Sequence, residues 1–288
     1  MKNEVPFNFG GLSGEYTKYE TSAVVIQPLP FDKTSTWGKG ANKGPKAIID
    51  ASRNMELYDI ETNSEIYERG IYTAKPINAP TSEKLADVSY KKIKEYLSDG
   101  KFVVSLGGEH SVSAGPIKAH MEKFKNASIL HLDAHSDRRD SYLGSKYNHA
   151  CIMARAQEWC DSIVSVGIRS MDSSEIEKAK RDLIIYAHEI DQKNEWIEKA
   201  IDYLRTDVYL TIDLDVFDSG IMPSTGTPEP GGLSWQQVNE LIKKLAARKN
   251  IIGFDVVELA PNKYNKAPDF LTAKLIYRIL SEKFSRIV

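Results

Sequence analysis

Three short apolar runs in this chain end in acids and histidines, and no other feature constrains its fold as much. SILHLD at 128–133 runs into Asp133-Ala134-His135-Ser136-Asp137, VYLTIDLD at 208–215 carries Asp213 and Asp215, and FVVSL at 102–106 is followed by Gly107-Gly108-Glu109-His110. A fourth run, IIGFDVVE at 251–258, delivers Glu258 at its end. Strands buried on both faces read as nearly continuous aliphatic residues, so acids confined to their last positions mark the edge of a parallel sheet. Open parallel sheets bind ligands just beyond those carboxyl ends. In extended chain, residues i, i+2 and i+4 project to one side. Asp133, His135 and Asp137 are then expected to converge on one point, and Asp213 and Asp215 to share a face.

Further strands are expected near 22–27, 163–168 and 182–187, with helical periodicity between them at about 44–55, 82–98, 111–124, 147–159, 173–181, 193–205, 234–247 and 268–284. This βαβα order implies a parallel sheet with crossover helices. Gly44-Pro45 opens the first helix with proline where an N–H would be unpaired, and Ser234 with Gln237 and Asp172 with Glu175 read as capping boxes. No linker or repeat divides the chain, so residues 1–288 are expected to form a single domain of seven or eight strands.

Charge excludes one class of partner. With 38 basic and 40 acidic side chains interspersed, the net charge of −2 offers no footprint for nucleic acid. No apolar run reaches the ~18 residues that span a bilayer, so no membrane partner is expected either. No secretion signal is read at the N-terminus. Cys151 and Cys160, the only two cysteines, fit buried thiols in a reducing, cytoplasmic compartment.

Carboxylates brought together repel one another unless cations hold them. A lone Asp-x-Asp also serves as a helix cap, and a histidine after Gly-Gly as a loop residue. Three such strand ends in one chain favour a metal site. His110 and His135 with Asp133, Asp137, Asp213 and Asp215, and no thiolate, suit Mn²⁺ better than a structural zinc. Six ligands exceed the needs of one ion with an open position. They fit two ions ~3.5–4 Å apart, a device that makes a nucleophile from water at neutral pH.

The motifs GGEHS at 107–111, HLDAHSD at 131–137, DLDVF at 213–217, TGTPEPGG at 225–232 and DVVELAP at 255–261 resemble those of the ureohydrolase (arginase/agmatinase) superfamily, most closely its agmatinases. The resemblance implies a three-layer α/β/α sandwich around a central, mainly parallel eight-stranded sheet. It implies two Mn²⁺ per subunit, one held by His110, Asp133, Asp137 and Asp213, the other by Asp133, His135, Asp213 and Asp215. Glu258 would bind a substrate guanidinium, Asp137 would take a proton from the attacking water, and His149 would protonate the leaving amine. His131 would be a strand residue rather than a ligand; His120 and His188 match no motif and fit core or surface. The activity implied is hydrolysis of a guanidine to urea and an amine, above all agmatine to putrescine and urea, in a homotrimer or homohexamer. Guanidinobutyrase, arginase and formimidoylglutamase activities stand as alternatives, as do a single-zinc deacylase and a catalytically silent metal-bound protein.

The charge balance agrees with a cationic substrate. Two divalent ions carry +4 against −4 from four aspartates, and a hydroxide and Glu258 leave the site negative. A planar guanidinium can make paired hydrogen bonds to such a carboxylate. Arg138 and Arg139 are expected to be surface residues pairing with Asp140 or other acids, or else receptors for a carboxylate-ended tail. Trp235 and Tyr147 fit core or interface packing better than a substrate channel. Arg169 is expected in a salt bridge or interface, and Asp218 in a turn. Ser219-Gly220 and Ser224 depart from the family pattern and leave the rigidity of their loop in question.

Overall fold

A computed structural model describes residues 5–190 and 195–285. Eight strands form one sheet: β1 (Val24–Leu29), β2 (Ile71–Thr73), β3 (Phe102–Gly107), β4 (Ser128–Leu132), β5 (Ile163–Ile168), β6 (Leu183–Tyr186), β7 (Asp207–Asp213) and β8 (Asn250–Val257). Their spatial order is β2-β1-β3-β8-β7-β4-β5-β6, and every pairing is parallel. The sheet is thus wholly parallel. The eighth strand, β2, is three residues long at one edge, too short to show a period in the sequence. The run expected at 22–27 lies two residues further on, past Pro28, which falls beyond the last residue that β2 pairs.

Two helical layers cover the sheet. On one face α1 (Gly44–Ser52), α6 (Glu195–Tyr203), α7 (Trp235–Arg248) and α8 (Ala267–Phe284) bury Ile48, Ile197, Leu241 and Ile276 against Val104, Leu210 and Val256. On the other, α2 (Ser82–Ser98), α3 (Ala114–Lys123) and the short α4 (Ile152–Ala156) pack Ile93, Ile117 and Ile152 against strand residues such as Val103 and Ile129. The three-layer arrangement therefore stands as expected. Pro45 sits in the first turn of α1, and both capping boxes form, at Ser234/Gln237 and Asp172/Glu175.

Two expected helices shrink. At 147–159 the chain makes a 3₁₀ turn at His149–Cys151 before α4, and at 173–181 it makes another before α5 (Ile176–Ala179). Residues 193–194 of the helix expected at 193–205 lie outside the described residues. Among the described residues no helix is long and apolar enough to cross a membrane.

Strand order positions the site. The chain leaves β3 and reappears three places away at β4, and the last two strands fill the gap as β8 and β7. The four central strands β3, β8, β7 and β4 are those whose ends carry His110, Glu258, Asp213 and Asp133.

Candidate metal centre

The loop after β4 does not converge in the way an extended chain would. The strand stops at Leu132, and Asp137 takes a left-handed backbone conformation with φ of 52°. Its carbonyl accepts the N–H groups of Met153 and Ala154, at 2.9 and 3.3 Å. Donors that would otherwise extend α4 backwards are spent on this loop, which is why the helix expected at 147–159 is short. After β7, Asp213 caps a 3₁₀ turn at Leu214–Val216, accepting the Asp215 N–H at 2.9 Å. It is both a cap and a site residue. Asp215 in turn accepts the Ala134 N–H at 3.0 Å, which locks the two acidic loops together.

These loops place the six predicted ligands side by side. His110 Nδ1 lies 3.1 Å from Asp133 Oδ2, 3.2 Å from Asp137 Oδ2 and 3.4 Å from Asp213 Oδ2. His135 Nδ1 lies 2.9 Å from Asp215 Oδ2 and 3.6 Å from Asp133 Oδ1. Asp133 faces both histidines. The His110 Nδ1 atom is buried without a hydrogen-bond partner, although three carboxylates surround it. An orphaned imidazole nitrogen amid carboxylates is the donor set of a divalent cation, so the residues fit a metal. Asp133, His135 and Asp215 form a second group close enough to share an ion.

Electrostatics agree. The surrounding carboxylates raise His110 and His135 above the usual histidine range against the opposing effect of burial. Burial, reinforced by the Asp133 charge, pushes Asp137 up to about 7. Burial and the neighbouring acids raise Asp213 and Asp215 as well.

Glu258 follows β8 with φ of 69°, and its Oε1 accepts the His110 N–H at 2.8 Å. Burial and nearby Glu109 hold its carboxyl well above the usual range. Gly226 comes close beside it: a Cβ there would stand 3.5 Å from Glu258 Oε2. Thr34 holds His149, its Oγ1 accepting the backbone N–H at 3.0 Å and lying 3.2 Å from Nδ1. Burial, with His135 and His110 adding, lowers His149 to about 4, not the ~6.5 of free imidazole. His110, His135, Asp137, His149, Asp213, Asp215 and Glu258 all line one cleft of about 260 Å³. A larger apolar groove, walled by Tyr58, Ile221, Trp235 and Phe270, contains none of them.

The histidines outside the cleft separate cleanly. His131 lies on β4, as expected, but its Nε2 is 2.8 Å from Asp133 Oδ2 and its Nδ1 3.0 Å from Ser165 Oγ, so it steadies the shared aspartate. Its position two residues before Asp133, on the same face of the chain, was the available sign. His120 is buried in the core and His188 is exposed.

Arg138 departs from the surface position expected of it, whereas Arg139 pairs with acids as expected. Arg138 is wholly buried, with Nε and Nη2 on Asp182 at 2.9 and 2.8 Å and Nη2 on Ser165. Arg139 lies in the cleft wall, 3.2 Å from Asp172 and 3.8 Å from Glu175, over the Tyr142 ring. Asp140 pairs instead with Arg155 and Lys178. Among the described residues Arg169 forms no salt bridge: its guanidinium donates to the carbonyls of Gly167, Asp215, Phe217, Glu229 and Pro230. Asp218 is the turn acid expected, accepting from Gly220, Gly231 and Gly232, which ties down the loop containing Ser219-Gly220. Ser224 is buried, and its carbonyl accepts the Ala260 N–H. Trp235 stacks on Phe217 and Tyr147 packs against the second core, both away from the cleft. Thr36, Tyr142 and Met171 also line the cleft from loops with no motif of their own, and so does Asp172, which the sequence marks only as a helix cap.

Comparison with known proteins agrees with this geometry. The model of the arginase family matches residues 22–281. The N(1)-aminopropylagmatine ureohydrolase of Synechocystis sp. is 36% identical over 92% of this chain and 90% of its own length. The agmatinase of Pyrococcus horikoshii is 35% identical over 89% and 90%. The crystal structure of agmatine ureohydrolase from Thermoplasma volcanium superposes with a TM-score of 0.89 at 31% identity, covering 98% of this chain and 96% of that one. With its parallel sheet, its histidine and aspartate cluster and its likeness along nearly the whole length, the chain belongs to the arginase family.

Proposed function

We propose that this chain is a binuclear manganese ureohydrolase that cleaves an amine-tailed guanidine, agmatine or an N-substituted agmatine, to urea and the free amine. One observation carries the reading: a buried carboxylate, Glu258, lines the same cleft as His110, His135, Asp137, Asp213 and Asp215, whose two histidines both face the buried Asp133. His110, Asp133, Asp137 and Asp213 would hold one ion and Asp133, His135, Asp213 and Asp215 the other. Two divalent ions supply Lewis-acid polarisation and activate water at neutral pH.

The chain's own groups do the rest. Glu258 receives the guanidinium through paired hydrogen bonds and so aims its carbon at the cluster. Asp137 accepts a proton from the attacking water. His149, held neutral, does not repel the incoming cation; it takes up the proton that Asp137 removed from the water and passes it to the departing nitrogen. The cleft wall favours an amine tail. Arg139 (+1) stands against Asp172 (−1) and Glu175 (−1), a local sum of −1. A tail carboxylate would have to displace Asp172 from Arg139, whereas a tail ammonium meets an acid already in place. Likeness to enzymes named for agmatine and for N(1)-aminopropylagmatine supports the same class.

Urea release after Mn²⁺ loading tests this with agmatine, N(1)-aminopropylagmatine, arginine and 4-guanidinobutyrate. The two amine-tailed guanidines are expected to be turned over fastest. A preference for guanidinobutyrate would overturn the tail assignment, and a single bound ion per chain on elemental analysis would favour a one-zinc deacylase instead. The same reading carries a cytoplasmic homotrimer or homohexamer, which sedimentation and cell fractionation address.

A further inference from the structure

Asp255 belongs to the DVVELAP motif, yet it lies in β8, three residues before Glu258, and has no part in the chemistry above. It is fully buried and, among the described residues, no lysine or arginine pairs with it. Three hydroxyls hold it instead. Ser113 Oγ and Thr211 Oγ1 each donate to Oδ1 at 2.8 Å, and the Tyr209 hydroxyl donates to Oδ2 at 2.7 Å. Thr211 and Asp255 are directly paired in the parallel register of β7 and β8, so the contact is built into the sheet. Thr211 Oγ1 is also 2.9 Å from His110 Nε2.

A threonine hydroxyl has one proton, and an ionised carboxylate can only accept. With that proton committed to Asp255, Thr211 offers His110 only a lone pair, so Nε2 must carry the ring hydrogen. In the neutral ring, the form that can bind a metal, Nδ1 is then the bare nitrogen, facing Asp133, Asp137 and Asp213.

We propose that Asp255 and Thr211 are positioning residues that fix the tautomer and orientation of His110, so that its Nδ1 is presented as a metal ligand. Outer partners of this kind typically alter metal affinity by roughly 10- to 100-fold. The inference rests on the metal centre proposed above but not on its substrate.

Thr211→Val removes the hydroxyl and keeps the shape. It is expected to weaken Mn²⁺ retention against a chelator by roughly 10- to 100-fold, while KM at saturating Mn²⁺ stays near wild type. Thr211→Ser should restore retention. Asp255→Asn, without the charge that orients the hydroxyl, should also weaken it, by a smaller factor. Tyr209→Phe removes a different hydrogen bond from the same carboxylate and should retain metal like the wild type. Wild-type retention in Thr211→Val, or equal losses in Thr211→Val and Tyr209→Phe, would overturn the proposal. Should Thr211→Val not fold, the Asp255→Asn and Tyr209→Phe pair decides: equal retention refutes the relay. If the wild type holds two ions but releases no urea, the proposed function falls and the retention series still judges the relay.

Discussion

Glu258 occupies a backbone conformation that costs a non-glycine residue on the order of 1–3 kcal/mol, and burial opposes its charge. Such a residue is held for what it receives. Glu258→Ala is expected to retain both ions yet lose about 10²- to 10⁴-fold in kcat/KM, from two charged hydrogen bonds of roughly 1.5–3 kcal/mol each. Asp133→Ala should instead lose metal and turnover together, because Asp133 faces both histidines. Metal content and steady-state kinetics separate the two; full activity in either variant would refute its assigned role. The residue scale is also where the sequence was most informative. His110, Asp133, His135, Asp137, Asp213 and Asp215 were all legible as a cluster, because three apolar strands in one chain end in acids or histidines, more than capping alone calls for. Thr34 was not, since a loop residue leaves no mark until the chain folds it against His149, and Asp172 was legible only as a helix cap.

Loops, at the scale of elements, are tied by arginines whose partners lie far away in sequence. Arg138 joins the loop after β4 to Asp182, just before β6, and Arg169 gathers five carbonyls from the Gly167, 215–217 and 229–230 segments. Adjacent basic residues usually mean solvent, which is why Arg138 reads as a surface residue in the sequence. Arg138→Met leaves Asp182 buried without its cation, a change that typically costs about 3–5 kcal/mol. Thermal or denaturant melts should show that loss; a midpoint within error of the wild type would show that Asp182 finds its countercharge elsewhere. Strands proved more legible than helices for a related reason. A doubly buried strand must be apolar throughout, whereas α4 is cut short because Asp137 takes its first donors.

Across the whole molecule, metal binding is coupled to protons. Without metal, the aspartates raise the proton affinity of His110 and His135, and burial pushes Asp137 up to about 7. Ligands bind ions only when deprotonated, so loading must release protons and apparent affinity must tighten as pH rises. Titration at pH 6 and pH 8 should show at least about tenfold tighter Mn²⁺ binding at pH 8, as in other sites where metal and protons compete. Affinity that fell with rising pH would contradict this. Bound metal should likewise raise the melting midpoint, by about 2.7 kcal/mol of stability at a hundred times Kd. The sequence by itself determined the parallel sheet with its crossover helices and a set of residue types able to hold a metal, because strand burial and ligand chemistry are local properties; the three-layer sandwich was legible only through the family resemblance. Only the tertiary structure decided that Arg138 is internal, that His131 steadies Asp133, that His149 is neutral and that Asp255 stands behind His110. Each of those depends on a partner brought close by the order of strands, which no window of sequence contains.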